Sequence, residues 1–180
     1  MSPSPSIHYD PRLIEESVFH AQRDSYISRE LEDARLRLYE IADAEEWETR
    51  FNELNRSWFI RLGLGDTVEH ALQEQIILTR EIADCYIVRA TQSKEAGAEL
   101  FVAHDGRPNT PDRRTLRVLV RPESLLDGKT LKTFLRQEFF HIADMLDPQF
   151  GYEPTLPKAD GGPTYDTLIK IGRASCRERV

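Results

Sequence analysis

The spacing of apolar residues changes twice along this chain, and that constrains its fold more than any other feature. Between Asp10 and about Glu74 apolar residues return every three or four positions, as on one face of a helix. Between Asp84 and Val120 they come instead in short runs rich in β-branched and aromatic side chains, CYIVRA, AELFVA and TLRVLV, separated by turn material. From Leu131 to Asp147 the helical spacing resumes, and Pro148 stops it. The order predicts an α+β fold with N-terminal helices, a small sheet of about three strands and one further helix. At 180 residues the chain has room for one core, since domains commonly hold about 150 residues, and residues 10–169 are read as a single domain.

Local signals mark where the helices begin. Asp10 can cap and Pro11 suits a first helical position, ahead of Leu13, Ile14, Val18 and Ala21. A second helix is expected from about Ser28, with Leu31, Leu38 and Ile41 on its apolar side. Asp43 and Glu46 have the spacing of a capping box, and Trp47, Phe51, Leu54 and Trp58 then form one stripe predicted to be core. RLGLGD turns the chain before a helix opened by Asp66 and Glu69. Its G-x-G lacks the third glycine and the preceding strand of a nucleotide fingerprint. Between the second and third strand runs lies HDGRPNTPDRR, a long polar loop of the kind that borders binding clefts; its His104 is expected to face solvent.

Composition removes several function classes. A formal charge of −7 opposes general nucleic-acid binding, which needs lysine and arginine to neutralise phosphates. No apolar run approaches the roughly 18 residues of a membrane span, so no membrane partner is expected. MSPSPSIHYD has neither the basic flank nor the apolar stretch of a secretory signal, so the chain is expected in the cytoplasm, with residues 1–9 expected as a disordered tail.

IGRASCRERV, Ile171 to Val180, departs from everything before it. It is identical to one reading frame of a common sequencing-library adapter, whose next codon is a stop and whose preceding bases fit the end of a codon for Lys170. Residues 170–180 are therefore read as translated adapter and the natural protein as truncated near Ile169. Setting aside Arg173, Arg177, Glu178 and Arg179 removes a net charge of +2 and leaves −9. Cys176 goes with them, leaving Cys85 in an apolar run, where a buried thiol is expected rather than a nucleophile.

The last helix carries the chemistry. In FLRQEFFHIADMLDP, Leu131, Leu135, Phe139, Ile142 and Leu146 gather on one side at about 100° per residue. Gln137, His141 and Asp144 gather on the opposite side, with Glu138 on the shoulder. Side chains four apart can reach one ion, which is how the two histidines of an H-E-x-x-H helix hold zinc while the glutamate acts as base. Here the motif is written Gln137, Glu138, Phe139, Phe140, His141.

With this helix following helices and a small sheet, the chain resembles the zincin metallopeptidases. Over about Arg121 to Ile169 the wording FLRQEFFHIADMLDPQFGYEP is similar to a bacterial family of zincin-like proteins reading HELxHxxDMLDPxFGYxP. The resemblance implies a zinc-dependent hydrolase of peptide bonds, with a peptide or protein as substrate or partner. By it His141 is a metal ligand and Glu138 the general base. Asp144 or Asp147 is the candidate third ligand: Asp147 has the metzincin offset, whereas a continuing helix favours Asp144. Either carboxylate could instead orient a ligand histidine. Tyr152, in the aromatic loop after the helix, is a candidate oxyanion donor or simply a packed side chain.

Gln137 departs from the pattern, standing where the family has its first histidine. A neutral amide oxygen is a poor zinc donor beside imidazole, so the form written here is expected to be impaired or inactive. A true pseudoenzyme, a family without need of metal and a single-base read error all account for the glutamine. The competing reading, from another class, is a non-catalytic binding module on the same fold.

Overall fold

The computed structural model describes residues 4–103, 113–146 and 168–171. Among the described residues, five helices in the first half and one between the fourth and fifth strands, α1 (Pro11–Ala21), α2 (Ser25–Leu38), α3 (Ala44–Arg61), α4 (Asp66–Gln73), α5 (Ile76–Glu81) and α6 (Gly128–Leu146), pack with five strands. The strands are β1 (Ser6–Tyr9), β2 (Asp84–Arg89), β3 (Gly97–Ala103), β4 (Arg113–Val120) and β5 (Leu168–Ile171), in sheet order β1-β2-β4-β3-β5. The architecture is α+β. β1, β2 and β4 run parallel, while β3 is antiparallel to both β4 and β5.

Helix starts follow the local chemistry. The Asp10 carboxylate accepts from the Arg12 amide and Pro11 occupies the first turn of α1. Asp43 accepts from the Glu46 amide at 2.8 Å and opens α3. α4 is entered through Gly65 without a side-chain cap, so Asp66 is its first residue rather than its cap. At the turn before it, Gly63 has φ 68°, a conformation that glycine adopts without the steric cost a side chain would bring.

One face of the sheet carries Cys85, Ile87, Ala98, Leu100, Leu116 and Val118, all buried with Leu13 and Val18 of α1 and Leu135 and Phe139 of α6. Cys85 is in that core as expected, and burial pushes its thiol up to about 12. The expected α3 stripe divides: Trp58 is buried and Leu54 packs against the core, whereas Trp47 and Phe51 stack on each other half-buried, with ring centroids 4.9 Å apart. The first turns of α3 therefore run beyond the core.

Two strands go beyond the three expected. The tail assigned to residues 1–9 is corrected at Ser6–Tyr9, which pairs with Asp84–Ile87. Four residues after a proline give little local signal; their place comes from partnering β2 and turning Ile7 and Tyr9 toward the core. β5 ends with Lys170 and Ile171, inside the stretch read as adapter. An edge strand offers backbone donors and acceptors to any short extended segment.

Candidate functional site

α6 is opened by Asp127, whose carboxylate accepts from the Thr130 amide at 3.2 Å and its hydroxyl at 2.6 Å. Its buried face is Leu131, Leu135, Phe139, Ile142 and Met145. The expected seam is thus found, with Met145 fully buried in place of Leu146, which is partly buried. A bidentate pair between Arg136 and Glu74, both bonds 2.8 Å, ties the exposed flank of α6 to the end of α4.

The polar side chains do not share one environment. Gln137 is exposed, while Glu138, His141 and Asp144 are half-buried and recur every third residue along the helix. The seam of partly sheltered polar groups therefore runs through Glu138, not through Gln137. A Glu138 carboxylate oxygen accepts the Ala98 amide of β3 at 3.1 Å. Ala98 lies outside the segment of β3 that β5 pairs, Leu100 to Ala103, so this carboxylate satisfies an edge amide that no described strand reaches. A buried backbone N–H left without a partner is costly, and Glu138 consequently holds helix to sheet. The His141 ring packs edge-on against Phe140 at 6.2 Å.

A cavity of about 180 Å³ opens beside the first half of α6. Leu131, Phe134 and Val120 give it an apolar wall, and Ser93, Ser124 and Thr130 bring hydroxyls to it. Arg121 crosses its edge, donating to Ser93 Oγ at 2.7 Å and pairing with Glu123 at 2.6 Å.

A polar pair that sequence reading missed lies on β3 and β4. Glu99 is buried, sits directly across from Arg117 in the strand register and accepts from its guanidinium at 2.7 and 3.1 Å. Arg117 also lies over the Phe101 ring at 4.9 Å. The only hint in the sequence is opposite charge at paired positions, and that depends on a register known only once the strands are assembled.

Comparison with models of known protein families, with curated proteins and with solved structures finds no match to this chain.

The expected zinc site is tested by its donors. Of the residues proposed to hold metal, His141 supplies one imidazole, Asp144 one carboxylate, and Gln137 a neutral amide turned to solvent. Glu138 is engaged with a backbone amide. Among the described residues no three or more His, Cys, Asp or Glu side chains converge as a metal-holding group. As written, this set does not fit the three protein ligands of a catalytic zinc centre. Asp147, Tyr152 and His104 lie outside the described residues. Among those described, no helix is long and apolar enough to cross a membrane.

Proposed function

We propose that the chain is a zincin-like protein of the cytoplasm, derived from a zinc-dependent peptide hydrolase and impaired as written by Gln137. The observation that carries this reading is the half-buried line of Glu138, His141 and Asp144 on α6 beside the edge of β3. In an H-E-x-x-H helix the glutamate stands three residues before the second histidine, and Glu138 and His141 keep that spacing on the sheltered side of α6. Gln137 sits one helical turn from His141, so histidine at 137 would restore two imidazoles at i and i+4.

Zinc titration of the full chain, of Gln137→His and of Gln137→His/His141→Ala tests this. The expected result is weak or no binding as written, 1:1 binding with histidine at 137, and its loss in the double variant. Absence of binding in Gln137→His would overturn the reading.

The bond from Ala98 to Glu138 also favours a second reading, a non-catalytic binding module in which Glu138 is a structural tie. Under it, Gln137→His changes neither zinc affinity nor hydrolysis of an unstructured protein substrate such as casein.

A further inference from the structure

A cavity of about 420 Å³ opens between β1, the end of α3 and the start of α4, and no residue of α6 lines it. Its volume is within the range of small-ligand pockets, roughly 300–1,000 Å³. Its apolar floor is Ile7, Tyr9, Phe59 and the side of Ile60. Ile60 is 69% exposed, a large apolar side chain left open to solvent at the cavity mouth.

The wall is fixed by a close approach of backbone to ring. The Tyr9 hydroxyl donates to the Gly65 carbonyl at 3.2 Å, and its ring meets Phe59 edge-on with centroids 5.0 Å apart. A Cβ at Gly65 would stand 3.0 Å from the Tyr9 hydroxyl oxygen and 3.3 Å from Phe59, so bare backbone is what lets the turn close on the ring. Burial, reinforced by Cys85, Glu69 and Asp66, raises the Tyr9 phenol above its ordinary value, which keeps it a donor.

The rim carries both signs of charge. Arg56 comes from α3, and Asp66 and Glu69 come from the first turn of α4, three residues apart on one side. Elsewhere on α3, Arg50 pairs with Glu53 and Arg61 with Glu30. Arg56, Asp66 and Glu69 form no ion pair with another described residue, although all three border one cavity.

We propose that this cavity binds an apolar α-amino acid, free or as a short peptide. Its ammonium group lies at Asp66 and Glu69, its carboxylate at Arg56, and its side chain on Ile7, Phe59 and Ile60. A guanidinium suits a planar carboxylate because it can donate two parallel bonds. The apolar floor selects against polar side chains, and the mixed rim selects against ligands carrying one charge.

The test is titration of the full chain with L-leucine, L-phenylalanine and leucyl-leucine, read by the amide ¹H–¹⁵N shifts of Gly63 and Gly65 and by calorimetry. Saturable shifts at both glycines are expected, and the tighter ligand tells free amino acid from peptide. N-acetyl-leucine, without the ammonium, and leucinamide, without the carboxylate, should each bind at least about tenfold more weakly, equivalent to about 1.4 kcal/mol. Glu69→Gln and Arg56→Gln, both exposed positions, should weaken leucine binding about as much with unchanged thermal stability, and His141→Ala should leave it unchanged. The proposal is overturned if none of the three ligands shifts the two glycines saturably, if the blocked ligands bind as well as leucine, or if neither rim variant alters affinity.

Discussion

Phe139 and Phe140 are neighbours in sequence and opposites in environment: Phe139 is wholly buried and Phe140 is 56% exposed. Truncating a buried phenylalanine to alanine costs about 3–5 kcal/mol, through lost transfer energy and the cavity left behind. An exposed position away from special contacts typically changes stability by about 0.5 kcal/mol or less. For a domain stable by about 5–15 kcal/mol, Phe139→Ala removes a large fraction of the total. With a urea dependence of about 2 kcal/mol per molar, a loss of 4 kcal/mol lowers the unfolding midpoint by about 2 M. Phe140→Ala should leave it within about 0.3 M on the same scale. Urea unfolding followed by circular dichroism measures both, and Phe139→Leu, expected to lose about 1–2 kcal/mol, keeps the comparison measurable if the alanine variant does not fold. If Phe140→Ala costs as much as Phe139→Ala, α6 is turned differently about its axis. The Glu138 bond to Ala98, and the seam built on it, would then be wrong.

Glu138→Ala should lower stability by about 1–2 kcal/mol, because the Ala98 amide loses its acceptor; Glu138→Gln, which keeps an acceptor oxygen, should lose less. Hydrogen exchange at Ala98 separates the two, and unchanged exchange in the alanine variant would count against the tie. With its thiol pushed up to about 12, Cys85 should be about one ten-thousandth thiolate at pH 8, so peptide mapping after alkylation should find it unmodified in the folded chain and modified in urea. Arg136 holds the Glu74 carboxylate below its ordinary value of 4.5, and Thr130 holds Asp127 below its ordinary 3.8. Stability from both is therefore fully present above those ordinary values and is lost as pH falls through the lower folded ones. The urea midpoint should drop between pH 5 and pH 2, less steeply in Glu74→Gln/Asp127→Asn, and an equal slope in that variant would refute the assignment.

The strength of these expectations follows how local their cause is. Asp10 before Pro11, and Asp43 three residues before Glu46, announced helix starts because a cap acts within one turn. Leu131, Leu135, Phe139 and Ile142 announced the buried face of α6 because a helix repeats faithfully along its length. Trp47 and Phe51 belong to the same stripe as Trp58 yet lie half-buried, since periodicity says which side of a helix is apolar and not how far the core extends along it. β1 gave too little pattern in four residues to be distinguished from a tail.

The candidate site divides in the same way. Gln137, Glu138, His141 and Asp144 could be named from spacing, and so could the departure at Gln137. Their roles could not, because the difference between the exposed Gln137 and the sheltered Glu138 is set by where β3 passes. The partner of Glu138 is an amide 40 residues away, and the cavity at Tyr9 joins β1 to α3 and α4 through a glycine whose missing side chain matters only where Tyr9 and Phe59 converge. By itself the sequence determined the α+β class, the helix starts and the two faces of α6, because each depends on neighbours within a few residues. Only the tertiary structure decided the five-strand order, the anchoring of Glu138 and the mixed rim of the second cavity, because each arises where distant segments are brought into contact and compete for the same amides, charges and space.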